Sequence, residues 1–325
     1  MKPPARMGRR SLALLATLFT LVAPATAQTW PAKPVRIVSV TSAGTGADDF
    51  TRLLASYLGQ KLGQNVYVEN KPGANTIIAC EHVAKAAPDG YTLLVAPGSS
   101  MAANPYLFKN LPYVPTRDFA PIARLSAVPV ALVVPAKSPH RTLDQLMAAG
   151  RARPGSLNFG TSSAGYRTML AAVNSSSKVQ AVDVPYKAMA NLLPDLIGGT
   201  IDYTVLEVSA AVPLVQSDKL RALAISSPSR IPAMPDVPTL AEAGAADATL
   251  IGWFGLFAPA GTPQPVLDKL TKLSLEFVET PEAKAHFTQR GTTALPANAR
   301  DFASAIVEDQ AKWKRYIAIA GIQPE

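Results

Sequence analysis

From Val35 onward, short apolar stretches alternate with longer ones whose apolar positions recur every three or four residues. The first short stretch, "VRIVSV" (35–40), has the length of a strand. Behind it Phe50, Leu53, Leu54, Tyr57 and Leu58 fall at i, i+3, i+4, i+7 and i+8, which predicts an amphipathic helix ended by Gly63. "NVYVEN", a Lys-Pro-Gly turn, a second helix to Ala87, a "PDG" turn and the strand "YTLLVA" come next. A second series then runs through "PVALVVP", a helix from Thr142, "LNFG", a helix after Gly165, "QAVDVPY", a helix near 190–197, "IDYTVLE" and "LRALAIS". Strands separated by helices predict parallel βαβ units with right-handed crossovers. Ligands meet such sheets at the loops on the carboxyl ends of their strands.

The Pro-rich segment "SSPSRIPAMPDVPTLAEAG" (226–244) breaks this rhythm. After it "WFGLFAPAGTP" reads as one more strand, and Thr262-Pro263 opens helices that fill the remainder. The last of these, around 300–320, carries Phe302, Ile306, Trp313 and Ile317 on one face. The order is explained by an α/β fold of two lobes, crossed by the chain near 120–126 and 226–250. Residues 28–124 and 227–325 form lobe 1, residues 125–226 form lobe 2, and a hinge and cleft lie between them.

Composition adds an address. Lys2, Arg6, Arg9 and Arg10 precede an apolar run from Leu12 to Ala23 and the small residues Ala25-Thr26-Ala27, the pattern of a secretory signal peptide cleaved near Ala27. The run is too short to span a bilayer, so the expectation is a soluble exported protein. Those 27 residues hold four of the 31 basic side chains and none of the 23 acidic ones, leaving 27 against 23, a balance of +4. Interspersed charges without a Lys/Arg run argue against nucleic acid as a partner. The single cysteine, Cys80, excludes an intrachain disulfide and reads as a buried thiol in a helix.

Three chemistries can be weighed on motifs. "SVTSAGTGADDFTRLL" (39–54) opens like a dinucleotide fingerprint at Gly44 and Gly46, but Asp49 stands in the third glycine position, and two carboxylates would repel a pyrophosphate. "GTSSAG" (160–165) approaches a nucleophile elbow, yet Ala164 stands in the elbow's last position, and the one downstream histidine, His286, lies in a helix-like segment. An exported hydrolase of small esters is thus the weaker alternative. His82, His140 and His286 lack metal-ligand spacing, so neither metal nor other cofactor is expected.

A set of motifs in one order says more: "ENKPGA" (69–74), "AKAAPDGYTLL" (84–94), "DFAPIAR" (118–124), "VPYKA" (184–188), "DLIGGTID" (195–202), "LRALAIS" (220–226), "MPDVPTLAEAG" (234–244) and "APAGTP" (258–263). Over nearly the whole chain after residue 27 this resembles the extracytoplasmic solute-binding receptors of tripartite tricarboxylate transporters, the Bug receptors. The resemblance implies a periplasmic, monomeric receptor of the type II binding-protein architecture, without catalysis. It would close on a small carboxylate (an amino acid, dicarboxylate or tricarboxylate) and serve membrane transporter subunits or a membrane sensor.

It also implies where the ligand sits. The family's first loop reads roughly P-F-x-x-G-G-x-x-D and holds a carboxylate through backbone N–H groups; here the matching segment offers Thr41, Ser42, Ala43, Gly44, Thr45 and Asp48. A loop of small residues at a helix N-terminus suits an anion, and Gly44 is expected to permit close approach. Ser99 and Ser100, beyond "YTLLVA", are further candidates. The second loop, "GTSSAGYRTML", matches the family at Gly160, Gly165 and Leu170, with Ser163 in place of a glycine and Met169 in place of a histidine. It supplies Thr161, Ser162, Ser163, Gly165 and Arg167, with Tyr186 and Lys187 nearby, and Ala188 comes after them where the family has glycine. Arg167, a cation at a helix start, calls for a compensating anion, read as a second acidic group on the ligand. Glu207, ending "IDYTVLE", either faces the cleft and favours a ligand amino group or caps the next segment.

Overall fold

The computed structural model describes residues 30–248 and 250–324; the expected signal peptide lies outside them. Every strand and helix named below belongs to one compact unit, Lys33–Glu325.

That unit opens with β1 (Val35–Ser39), α1 (Gly46–Leu62), β2 (Val66–Asn70), α2 (Ile77–Ala84) and β3 (Thr92–Pro97). The predicted stop of α1 is real: Gly63 takes φ 66°, a left-handed position at which glycine is unstrained, and its N–H bonds the Gly59 carbonyl. Two four-residue helices, α3 (Asn104–Leu107) and α4 (Pro115–Asp118), lead into β4 (Phe119–Val128). Then come β5 (Val130–Pro135), α5 (Leu143–Ala152), β6 (Asn158–Thr161), α6 (Ala164–Ser176), β7 (Val182–Pro185), α7 (Met189–Gly198), β8 (Thr204–Glu207), α8 (Val208–Gln216) and β9 (Leu220–Ser226). The chain closes with β10 (Gly252–Pro259), α9 (Gln264–Val278), α10 (Pro281–Arg290), β11 (Thr293–Ala297) and α11 (Ala299–Ile319).

The strands gather by origin. A six-stranded sheet in the order β11-β4-β10-β3-β1-β2 draws on both ends of the chain, whereas β8-β5-β9 and the pair β6-β7 come from the middle. The parallel pairing predicted from the strand-helix rhythm holds for β1 with β2, β1 with β3 and β6 with β7. It fails elsewhere: β10 runs antiparallel to β3 and β4, β11 to β4, and β5 to β8 and β9. The cause is connectivity, because β5 comes after β4 with only Pro129 between them, and β10 returns from the other sheet rather than through a local crossover. The helices predicted to fill the chain after Pro263 are likewise interrupted by β11.

Strand β5 shows why "VALVVP" is uninterruptedly apolar. Val130, Leu132 and Val134 enter one buried cluster with Leu146, Leu170 and Tyr203, and Ala131 and Val133 enter another with Leu192, Leu206 and Ile225. A central strand covered on both faces has no solvent side to mark with polar residues.

The chain passes between the sheets twice. It leaves the large sheet at Val128 and joins the smaller at Val130, then leaves β9 at Ser226 and returns at Gly252. The Ser226 hydroxyl donates to the Leu250 carbonyl at 2.6 Å, which joins the two ends of the return passage.

Candidate functional site

At these passages lies a cavity of about 410 Å³. Val128 and Val130 line it from the first crossing, and Leu250 to Phe254 from the second. The large sheet contributes Ser99, just beyond β3, and the loop residues Asn75 and Thr76; the smaller sheet and its helices contribute Ser163, Gly165, Tyr166 and Glu207. Trp313 of α11 completes a largely apolar wall.

Glu207 is the only charged residue on this lining among the described residues. Although it precedes α8, its side chain makes no capping hydrogen bond there. Water reaches the carboxylate, yet protein surrounds it on most sides. Burial raises its pKa, and a hydrogen bond from the Tyr166 hydroxyl opposes that rise. Burial and the neighbouring Glu207 raise the Tyr166 pKa in turn. An ionised carboxylate has about four acceptor sites, so one phenol leaves capacity unused.

The first loop is organised around Asp48, which is 2 % exposed. Its Oδ2 accepts from the Gly44 N–H at 2.9 Å and from Arg52 Nε at 2.9 Å, and its Oδ1 accepts from Asn70 Nδ2 at 2.7 Å. Asn70 Nδ2 also reaches the Thr41 carbonyl at 3.0 Å. Burial pushes the Asp48 carboxyl up, and the bonds from Arg52, Asn70 and Gly44 together outweigh it and leave the pKa lowered. Thr45 caps α1 by accepting from the Asp48 N–H, and the Ser42 carbonyl accepts from the Thr45 N–H and hydroxyl. The loop residues Thr41, Ser42, Ala43, Gly44 and Thr45 do not line the cavity. Gly44 takes a φ of 80°, a left-handed position that favours glycine, and a Cβ there would meet no protein atom within 4 Å.

The second loop divides between two duties. Ser163 and Gly165 line the cavity, and the Ser163 Oγ caps α6 by accepting from the Tyr166 N–H at 3.2 Å. The N–H groups of Ala164 and Gly165, first in α6, have no carbonyl within the helix to bond. Arg167 turns away: its Nε pairs with Asp183 Oδ2 at 2.7 Å, so the anion that the cation calls for is the chain's own. Thr161 donates to the other oxygen of Asp183 at 2.7 Å, while Ser162 is half-buried off the lining. Tyr186 donates to Asp195 at 2.6 Å, and Lys187 is exposed. His286, the histidine a hydrolase would require, packs beside Phe50 with ring centroids 5.8 Å apart and does not line the cavity that Ser163 lines.

Sequence reading missed the segment Ala74 to Thr76. All three residues hold positive φ, 45°, 50° and 75°, unusual for side chains with a Cβ. A buried polar network fixes them: Asn104 Nδ2 donates to the Asn75 carbonyl at 2.9 Å and to the Tyr113 hydroxyl at 3.1 Å, and Tyr113 donates to the Ser100 carbonyl at 2.8 Å. The Thr76 and Ser100 hydroxyls share a bond of 2.7 Å. Ser100 is thus structural while Ser99 faces the cavity. Cys80 lies against the same network; burial pushes its thiol up to about 11, against bonds to Tyr113, Ser100 and Thr76. The signal available in sequence was Asn75 after Pro72-Gly73, since Asn tolerates left-handed backbone.

Among the described residues no helix is long and apolar enough to cross a membrane. Proteins that resemble the chain over most of its length include the following three. A UPF0065 protein of Bordetella bronchiseptica is 35% identical over 318 residues, covering 97% of this chain and 94% of that one. Rpa4515 of Rhodopseudomonas palustris, solved with adipate, superposes with a TM-score of 0.74 at 28% identity, covering 91% of this chain and 100% of that one. MatC of the same organism, solved with bound malate, gives a TM-score of 0.69 at 30% identity, with 89% and 100% covered. The fold is that of two-lobed periplasmic binding proteins. Residues 50–322 match the pattern described as "Tripartite tricarboxylate transporter family receptor", and the chain belongs to that family.

Proposed function

We propose that this protein captures a small carboxylate in the cavity at its two chain crossings, for a tripartite tricarboxylate-type transporter or a membrane sensor, and catalyses nothing. The observation that carries the reading is the cavity itself, placed at both chain crossings and lined from both sides. Lobes of 28–124 with 227–325, and of 125–226, would close on it about the segments around Pro129 and 226–252. Adipate and malate in Rpa4515 and MatC support a carboxylate as the ligand class. The first N–H groups of α6, at Ala164 and Gly165, suit a carboxylate because unpaired amides and the helix dipole converge there.

Calorimetry of the purified protein against mono- and dicarboxylates tests this, paired with small-angle scattering. Binding with a reduced radius of gyration is the expected result. No binding at millimolar concentration, together with turnover of a chromogenic ester, would replace it with the hydrolase reading.

A further inference from the structure

We propose that the ligand carries a positively charged nitrogen, held by Glu207, on an apolar or aromatic body seated among Phe108, Tyr166, Phe254 and Trp313. The inference rests on the cavity being the ligand site and narrows what enters it. Four observations converge. No Lys, Arg or His lines the cavity among the described residues, and its sole charge is negative. Among the described residues that carboxylate neither caps its helix nor meets a cation, and its hydrogen-bond partner is the Tyr166 hydroxyl. Arg167, which would have suited a second acidic group, is held by Asp183. The surrounding wall is aromatic: Phe108, Tyr166, Phe254 and Trp313 are each half-buried and line the same space.

The wall is also stiff. Trp253, behind Phe254, donates its Nε1–H to Asp309 at 2.7 Å, and its ring lies so close to Gly98 that a Cβ there would meet it at 2.7 Å. Trp313 approaches Gly165 from α11, 3.8 Å from where a Cβ would stand. Rigid aromatic faces attract cations through their quadrupoles, most strongly where water is excluded. A protonated amine near Glu207 would satisfy the unused acceptor sites and offset the burial that raises the carboxyl's pKa. A dicarboxylate would instead bring like charge to Glu207 with no cation to receive it. The ligand class is therefore a zwitterion with a large apolar side, its carboxylate on the α6 amides and its ammonium on Glu207, and adipate and malate are excluded.

Titration calorimetry with four matched probes tests this: phenylalanine, 3-phenylpropanoate, 2-phenylethylamine and adipate, each against wild type and Glu207→Gln. Phenylalanine should bind about ten- to a hundred-fold more tightly than 3-phenylpropanoate, the range of a charged hydrogen bond, and adipate should show no heat. Glu207→Gln should erase that margin, and its unliganded melting midpoint verifies that it folds. Binding of adipate or 3-phenylpropanoate with no gain from the amine overturns the inference and leaves the carboxylate receptor standing. Binding of 2-phenylethylamine equal to phenylalanine upholds the role of Glu207 and overturns the carboxylate reading. Wild type and Glu207→Gln binding phenylalanine equally, or no probe binding at millimolar concentration, overturns the inference.

Discussion

Asp48 and Glu207 both stand where a strand gives way to a helix, and their surroundings are opposite. Asp48 is enclosed by Gly44, Arg52 and Asn70, and its pKa falls. Glu207 is open to water with Tyr166 as partner, and its pKa rises. The first carboxylate is consumed in shaping its own loop, whereas the second retains acceptor capacity on a concave surface. Residue type and position along a strand do not separate the two; the count of donors around each does. Capacity left unfilled by the fold is what a ligand can use.

The largest test of this contrast is Asp48→Ala. It strands the Gly44 N–H, the Asn70 amide and the Arg52 guanidinium together, and should cost about 3 kcal/mol in urea unfolding, with Arg52 half-exposed and therefore limiting the loss. Asn70→Ala removes the link between Asp48 and the Thr41 carbonyl while sparing Arg52, and should cost about 1.5 kcal/mol in the same assay. Glu207→Gln should move the other way, stabilising the unliganded protein by less than about 1 kcal/mol near neutral pH, since water already reaches the carboxylate. A loss of more than that would show Glu207 to be part of the fold.

The pH dependences should also have opposite signs. Asp48 has a lowered folded pKa, so its contribution is present above the ordinary aspartate value and lost as pH falls through the lowered one. Glu207 has a raised folded pKa, so its contribution is present below the ordinary glutamate value and lost as pH rises through the raised one. Melting midpoints of Asp48→Asn and Glu207→Gln relative to wild type, measured from about pH 3 to 7, should therefore diverge in opposite senses; parallel profiles would erase the distinction.

Legibility in the sequence tracks locality. The amphipathic stripe of α1, its glycine stop and the doubly buried β5 are written within a few neighbouring residues. Strand β4 was read only as a motif because Pro121 and Arg124 interrupt "FAPIARLSAV", and β11 is five residues with a proline, paired only along β4. Glu207 was found because a charged residue ending an apolar strand is conspicuous. The role of Asp48 was not, since Asn70 reaches it from 22 positions away. The cavity wall was harder still: Phe108, Tyr166, Phe254 and Trp313 come from four distant segments, and each alone reads as ordinary core.

The lone cysteine gives this molecule a built-in clock. With its thiol raised to about 11, Cys80 is almost wholly protonated at neutral pH and sealed behind the left-handed segment that borders the cavity. Thiolate is the reactive form, so alkylation of the buried Cys80 must wait for a local opening that brings water to the sulfur. Labelling time at Cys80 thus counts those openings, read from a residue the chain already carries.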